Sequence, residues 1–140
     1  MGDQARSAGV IQMRLVVEAD DYDTAVSFYR DELGLTEKMA VERPDGAHVT
    51  ILQAGRATLE IANPEQKRYI DEVEVGRPVA PKLRLAFEVA DSRATTQQFA
   101  NAGAELIAPP TETPWRSLNS RLQAPAGLQI TLFQELDSPY

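Results

Sequence analysis

The chain has 140 residues, no cysteine, and a net charge of -7 from 14 Lys and Arg against 21 Asp and Glu. That balance disfavours a phosphate-backbone partner, and the missing cysteines exclude disulfides, thiol nucleophiles and cysteine metal sites. No apolar run approaches the ~18 residues of a membrane span, and "MGDQARSAG" lacks the apolar core of a secretion signal. Arg6 also stands where a myristoylation signal wants Ser or Thr, so a cytoplasmic protein is expected.

In chain order, residues 11–19 alternate and are rich in β-branched types, predicting a strand. Asp20 or Asp21 then supplies an N-cap, since a short carboxylate accepts from the free N–H groups of a helix's first turn. Tyr22, Ala25, Val26, Tyr29 and Leu33 form one helical stripe, and Gly34 suits the left-handed residue that ends it. Strands are expected near 36–43, 47–54 and 56–62, separated by Pro44-Asp45-Gly46 and by Gly55. A charged, proline-bearing stretch at 63–81 reads as a linker with a short helix at 65–73; its "DEVEV" run reads as a solvated face. A strand at about 82–90, a helix capped by Asp91 and ended by Gly103, and strands near 104–108, 118–124 and 128–135 complete the pattern.

The second half repeats the first. Glu18 matches Glu88, Asp21 matches Asp91 and Tyr29 matches Phe99, each 70 positions apart, while Gly34 and Gly103 pair one residue out of step. "LEI" at 59–61 aligns with "ITL" at 130–132. Their shared order indicates a duplicated unit with the grammar β-α-β-β-β.

Two such units resemble the vicinal oxygen chelate superfamily, which includes glyoxalase I, bleomycin-resistance proteins, extradiol dioxygenases and fosfomycin-resistance enzymes. "AVSFYRDELGL" and "PWRSLNSRLQAPAGLQITLF" carry the resemblance, which spans Val10 to Leu136. It implies an α+β fold: two tandem β-α-β-β-β modules, 10–62 and 82–136, joined by 63–81 into one domain over 1–140. Their curled mixed sheets would surround a concave cup, with helices on the convex side. It further implies that the cup positions where relatives ligate a metal are Arg14, Glu60, Arg84 and Thr131 here. Only Glu60 is of ligand type. Guanidinium cannot ligate, so no metal and no other cofactor is expected.

Residues two apart on a strand share a face. By that rule Arg14, Val16 and Glu18 oppose Leu15 and Val17. Arg84, Ala86 and Glu88 oppose Leu83, Leu85 and Phe87, while Gln129, Thr131 and Phe133 oppose Ile130 and Leu132. Arg14, Glu60 and Arg84 then either fill the old metal position as an ion-pair network or anchor an anionic ligand, and both roles are compatible. Glu60 as a general base is a further option, weakened by arginines that favour its ionised form. Trp115 is either a plug at the sheet edge or a wall for a planar ligand, and Phe133 is a second wall. Arg116 follows Trp115 where the family has glycine. Tyr69 in the linker reads as a surface residue, the alternative being that it leans over the mouth.

The expectation is a metal-free protein that binds a small organic molecule, planar or anionic, to sequester a drug or metabolite. By resemblance it is a homodimer. The alternatives are a lyase, isomerase or dioxygenase using Glu60, and a partner-binding domain whose cup is vestigial and filled by its own side chains.

Overall fold

The computed structural model describes Gln12, residues 14–58, Glu60 and residues 62–137. Helix α1 (Tyr22–Val26) starts at Asp21, whose side chain accepts from the Thr24 N–H, and continues as a π-helical segment over Ser27–Glu32. Leu33 N–H reaches back five residues to the Phe28 carbonyl, and Gly34 leaves at a φ of 85°. Strands β1 (Thr36–Glu42) and β2 (His48–Gln53) form an antiparallel pair around the Pro44-Asp45-Gly46 turn.

Asn63 caps helix α2 (Pro64–Glu74) by accepting from Gln66 N–H. Strand β3 (Leu85–Glu88) leads to helix α3 (Ser92–Asn101), capped by Asp91. Strands β4 (Glu105–Glu112), β5 (Ser117–Ala124) and β6 (Leu128–Glu135) follow, the last two joined by a 3-10 turn at Pro125–Gly127. The four-stranded sheet runs β3-β6-β5-β4, with β3 parallel to β6 and the other pairs antiparallel.

The second half therefore has the expected β-α-β-β-β order, and the chain is a mixed α+β fold whose described residues form no closed barrel. In the first half, residues 14–19 and the described residues of 56–62 form no strand. Val16 is 90% exposed and Leu15 47%. A strand exists only where a neighbour supplies its ladder. Strands β3 and β6, the repeat partners of these two segments, do pair: Leu85 lies beside Ile130 and Ala86 beside Thr131. Residues 1–11, 13, 59, 61 and 138–140, which the predicted 11–19 and 56–62 strands and the 1–140 domain partly include, lie outside the described residues.

One core serves both halves. Phe28 and Tyr29 from the first helix meet Phe99 of α3 and Leu122, Ile130 and Leu132 of the four-stranded sheet. The Phe28 and Phe99 rings sit edge to face with centroids 5.0 Å apart. Tyr29 Oη donates to the Pro125 carbonyl at 2.8 Å, and burial pushes its phenol pKa upward. Where α3 crosses β5, the buried hydroxyls of Thr96 and Ser120 bond each other at 2.7 Å, satisfying polar groups inside the apolar layer.

Candidate functional site: the charged face beneath helix α2

The sheet has two chemically different faces because its strands alternate. Ile130 and Leu132 of β6 and Leu122 of β5 point to the α3 side and join the core. Gln129 and Thr131 of β6 and Asn119 and Arg121 of β5 bond on the opposite side, where α2 lies. Arg121 and Thr131 are direct cross-strand partners, which places a guanidinium beside the threonine hydroxyl.

Arg121 is 0% exposed. Its Nη1 donates to Asp71 Oδ1 at 2.8 Å and to Gln129 Oε1 at 2.8 Å. Its Nη2 donates to Glu74 Oε1 at 2.7 Å, and its Nε reaches Thr131 Oγ1 at 3.1 Å. Asn119 Nδ2 donates to Glu74 Oε2 at 2.7 Å. The other oxygen of Asp71 accepts the backbone N–H groups of Val79 and Ala80 at 2.9 and 3.0 Å. A buried ion this well supplied with donors is tolerable where an unpaired one is not. Burial raises the Asp71 pKa, but the Ala80 N–H, the Arg121 guanidinium and the Val79 N–H together hold it below the ordinary carboxylate value.

Of the sequence-derived positions, the fold brings together Arg84 and Thr131: Arg84 Nη1 donates to Thr131 Oγ1 at 2.6 Å. Burial, and then the Arg121 charge, lower the Arg84 pKa; Glu74, Asp71 and Glu60 act in the opposite sense. Glu60 thus feels Arg84 electrostatically but is itself exposed. Arg14 is exposed and bonds to Gln12 Oε1 at 3.0 Å. Among the described residues no hydrogen bond or ion pair joins Arg14, Glu60 and Arg84, because the two segments carrying Arg14 and Glu60 have no ladder to set them beside β3. Phe133 is half-buried on β6, across from Asn119.

Trp115 is 41% exposed, and its ring lies 6.1 Å from that of Tyr69 on α2. The two rings join α2 to the loop between β4 and β5. Arg116 takes the left-handed conformation, φ 63°, in which the family's glycine is unstrained; its guanidinium binds Glu112 and Asp137.

The "DEVEV" run is not a solvated face. Asp71 and Glu74 are the buried residues of α2, and they carry the main contacts of the site. Sequence reasoning also missed Asn119 and Arg121. The signals were present: Asp71 and Glu74 stand three apart on one helical stripe, and strand parity sets Asn119 and Arg121 opposite Leu118 and Leu122.

The family model for the glyoxalase/bleomycin resistance protein/dioxygenase superfamily matches residues 12–132. The chain belongs to that superfamily. Solved structures agree at the level of fold. An antibiotic binding protein, TnmS3 from Streptomyces sp. CB03234, is 19% identical with a TM-score of 0.59, over 92% of this chain and 99% of that one. A superfamily protein from Nocardioides is 18% identical with a TM-score of 0.54, over 99% and 93%. A lactoylglutathione lyase from Agrobacterium tumefaciens is 22% identical with a TM-score of 0.52, over 92% and 95%. Among curated proteins none matches significantly.

At the four positions that the resemblance assigns to a metal, the donors present do not fit a divalent ion. Arg14 and Arg84 present only N–H donors, and Thr131 Oγ1 is engaged by Arg84 and Arg121. Among the described residues, no group of three or more His, Cys, Asp or Glu is placed to hold an ion. No helix among them is long and apolar enough to cross a membrane.

Proposed function

We propose that this superfamily member binds a small organic molecule on the charged sheet face without using a metal, and so sequesters a drug or metabolite. The observation that carries this reading is the pairing of Arg84 with Thr131 on the face that also holds Arg121, beneath a helix whose Tyr69 lies beside Trp115. Guanidinium groups offer planar donor pairs to an anionic group, and the two rings offer a surface for a flat one. That a fold neighbour is an antibiotic binding protein is compatible with this use.

The alternative of a lyase, isomerase or dioxygenase working through Glu60 has less support, since Glu60 is exposed and makes no paired acid–base contact among the described residues. A homodimer is part of the proposal. Leu15, Val16 and Leu83 are exposed apolar residues, and a second copy is the occupant that would supply the missing strand partners.

A thermal-shift screen of planar antibiotics and aromatic carboxylates tests binding. Ligand at 100 times its dissociation constant adds about 2.7 kcal/mol, and chelator should leave the melting temperature unchanged. Arg84→Met should abolish the response. A shift with divalent metal alone, and none with organic compounds, would overturn the reading. Light scattering that gives a monomer removes the dimer.

A further inference from the structure

Arg121 is the bulkiest of the fully buried side chains. Its charge is met by two carboxylates from one helix, Asp71 and Glu74 of α2. Arg84 bonds the same threonine from the next strand and, among the described residues, has no carboxylate within ion-pair distance. Two guanidiniums therefore face two buried carboxylates of the helix, and the exposed Glu60 acts on Arg84 more weakly than either.

The helix is attached in an unusual way. Its fully buried residues are the two acids, so polar bonds join the half-buried Ile70 and Val73 in holding it to the sheet. The bonds from Arg121 and Asn119, with Gln129 Nε2 donating to the Val79 carbonyl at 3.2 Å, fasten the helix and its trailing segment. The fit is incomplete: Asn119 Oδ1 is buried and has no partner among the described residues. Turning the amide over would set that oxygen against the Glu74 carboxylate, so the present orientation is the better one and the acceptor stays open.

We propose that Arg84 and Arg121 form a two-guanidinium anion site, that α2 is its displaceable cover with Asp71 and Glu74 as internal stand-ins, and that the ligand is a small molecule bearing two anionic groups. The inference rests on the reading that this face is the ligand site. Lifting α2 removes two negative charges and leaves two cations, and a dianion restores the balance. Carboxylate and phosphate share the chemistry, because each presents paired oxygens to the guanidinium fork. Tyr69 leaves with α2, so its separation from Trp115, the single tryptophan, reports the movement.

The test combines hydrogen exchange and thermal shift on the full chain, comparing wild type with Asp71→Asn/Glu74→Gln. In wild type, amides in 64–80 should exchange through an opening that leaves β5 and β6 protected. In the double variant they should exchange about tenfold or more faster while β5 and β6 keep their protection, and Trp115 emission should change. Succinate or inorganic phosphate should raise the melting temperature of the variant by several degrees more than that of wild type, with neutral succinamide inert and Arg84→Met in the variant removing the gain. Comparing succinate with phosphate distinguishes a carboxylate ligand from a phosphate one. If the double variant fails to fold, the wild-type exchange pattern decides. Exchange of 64–80 only together with β5 and β6 overturns the cover. Free opening with no added response to either dianion overturns the anion site. In both cases an organic ligand found by the screen above would leave the binding reading standing.

Discussion

Arg121 and Glu74 lie 47 positions apart in the chain, yet they form a fully buried ion pair, Nη2 to Oε1, at 2.7 Å. Breaking it from one side leaves the other charge buried and uncompensated. Arg121→Met should therefore destabilise the fold by about 3–5 kcal/mol, read from urea unfolding. Adding Asp71→Asn and Glu74→Gln to that variant should return part of the loss. Strict additivity of the three changes would show that the groups act separately.

Acid should loosen the same cluster. The folded state holds the Asp71 pKa below its unfolded value, so its contribution is fully present above the unfolded pKa of about 3.9. It is lost as pH falls through the lower folded value, because protonation then costs the native state its charged contacts. Urea midpoints between pH 7 and pH 2.5 should fall at the acid end, and Asp71→Asn should flatten that segment. An equal acid slope in wild type and variant would assign the loss to other carboxylates.

Arg116 tests the local trade between backbone and side chain. Its left-handed conformation is relieved by glycine, while its ion pairs with Glu112 and Asp137 are lost. Arg116→Gly should melt close to wild type. Arg116→Val keeps the strain, adds a β-branch to it and loses both pairs, so its melting temperature should be lower by several degrees. Equal melting temperatures for the two variants would remove the backbone explanation.

Phe99 is fully buried against Phe28 and the sheet. Phe99→Ala should cost about 3–5 kcal/mol through lost burial and the cavity left behind. Because Phe28 and Phe99 belong to different repeats, both halves should lose structure together in exchange measurements. Loss confined to α3 would show two separate cores.

Local signals were legible in the sequence. Asp21, Asn63 and Asp91 cap helices because a short acceptor side chain satisfies free N–H groups two or three residues on, which needs no distant partner. The Asp91 cap was read directly and the first cap was narrowed to Asp20 or Asp21, of which Asp21 serves; the helix expected at 65–73 is Pro64–Glu74. Strand alternation placed Arg84 and Thr131 on one face, and they meet there. Alternation also predicted strands at 11–19 and 56–62, where the described residues form none, since a strand's ladder belongs to its neighbour and not to its own residues.

What the sequence determined by itself was the order of helices and β-rich segments, the internal repeat and the two faces of β6. The tertiary structure alone decided that "DEVEV" turns inward. Charged residues face water unless a partner meets them in the interior, and the partner of Asp71 and Glu74 stands about fifty residues away on another element. Only the crossing of α2 over β5 brings the charges together. That crossing replaces the expected group of Arg14, Glu60 and Arg84 with one built on Arg84, Arg121, Asp71 and Glu74.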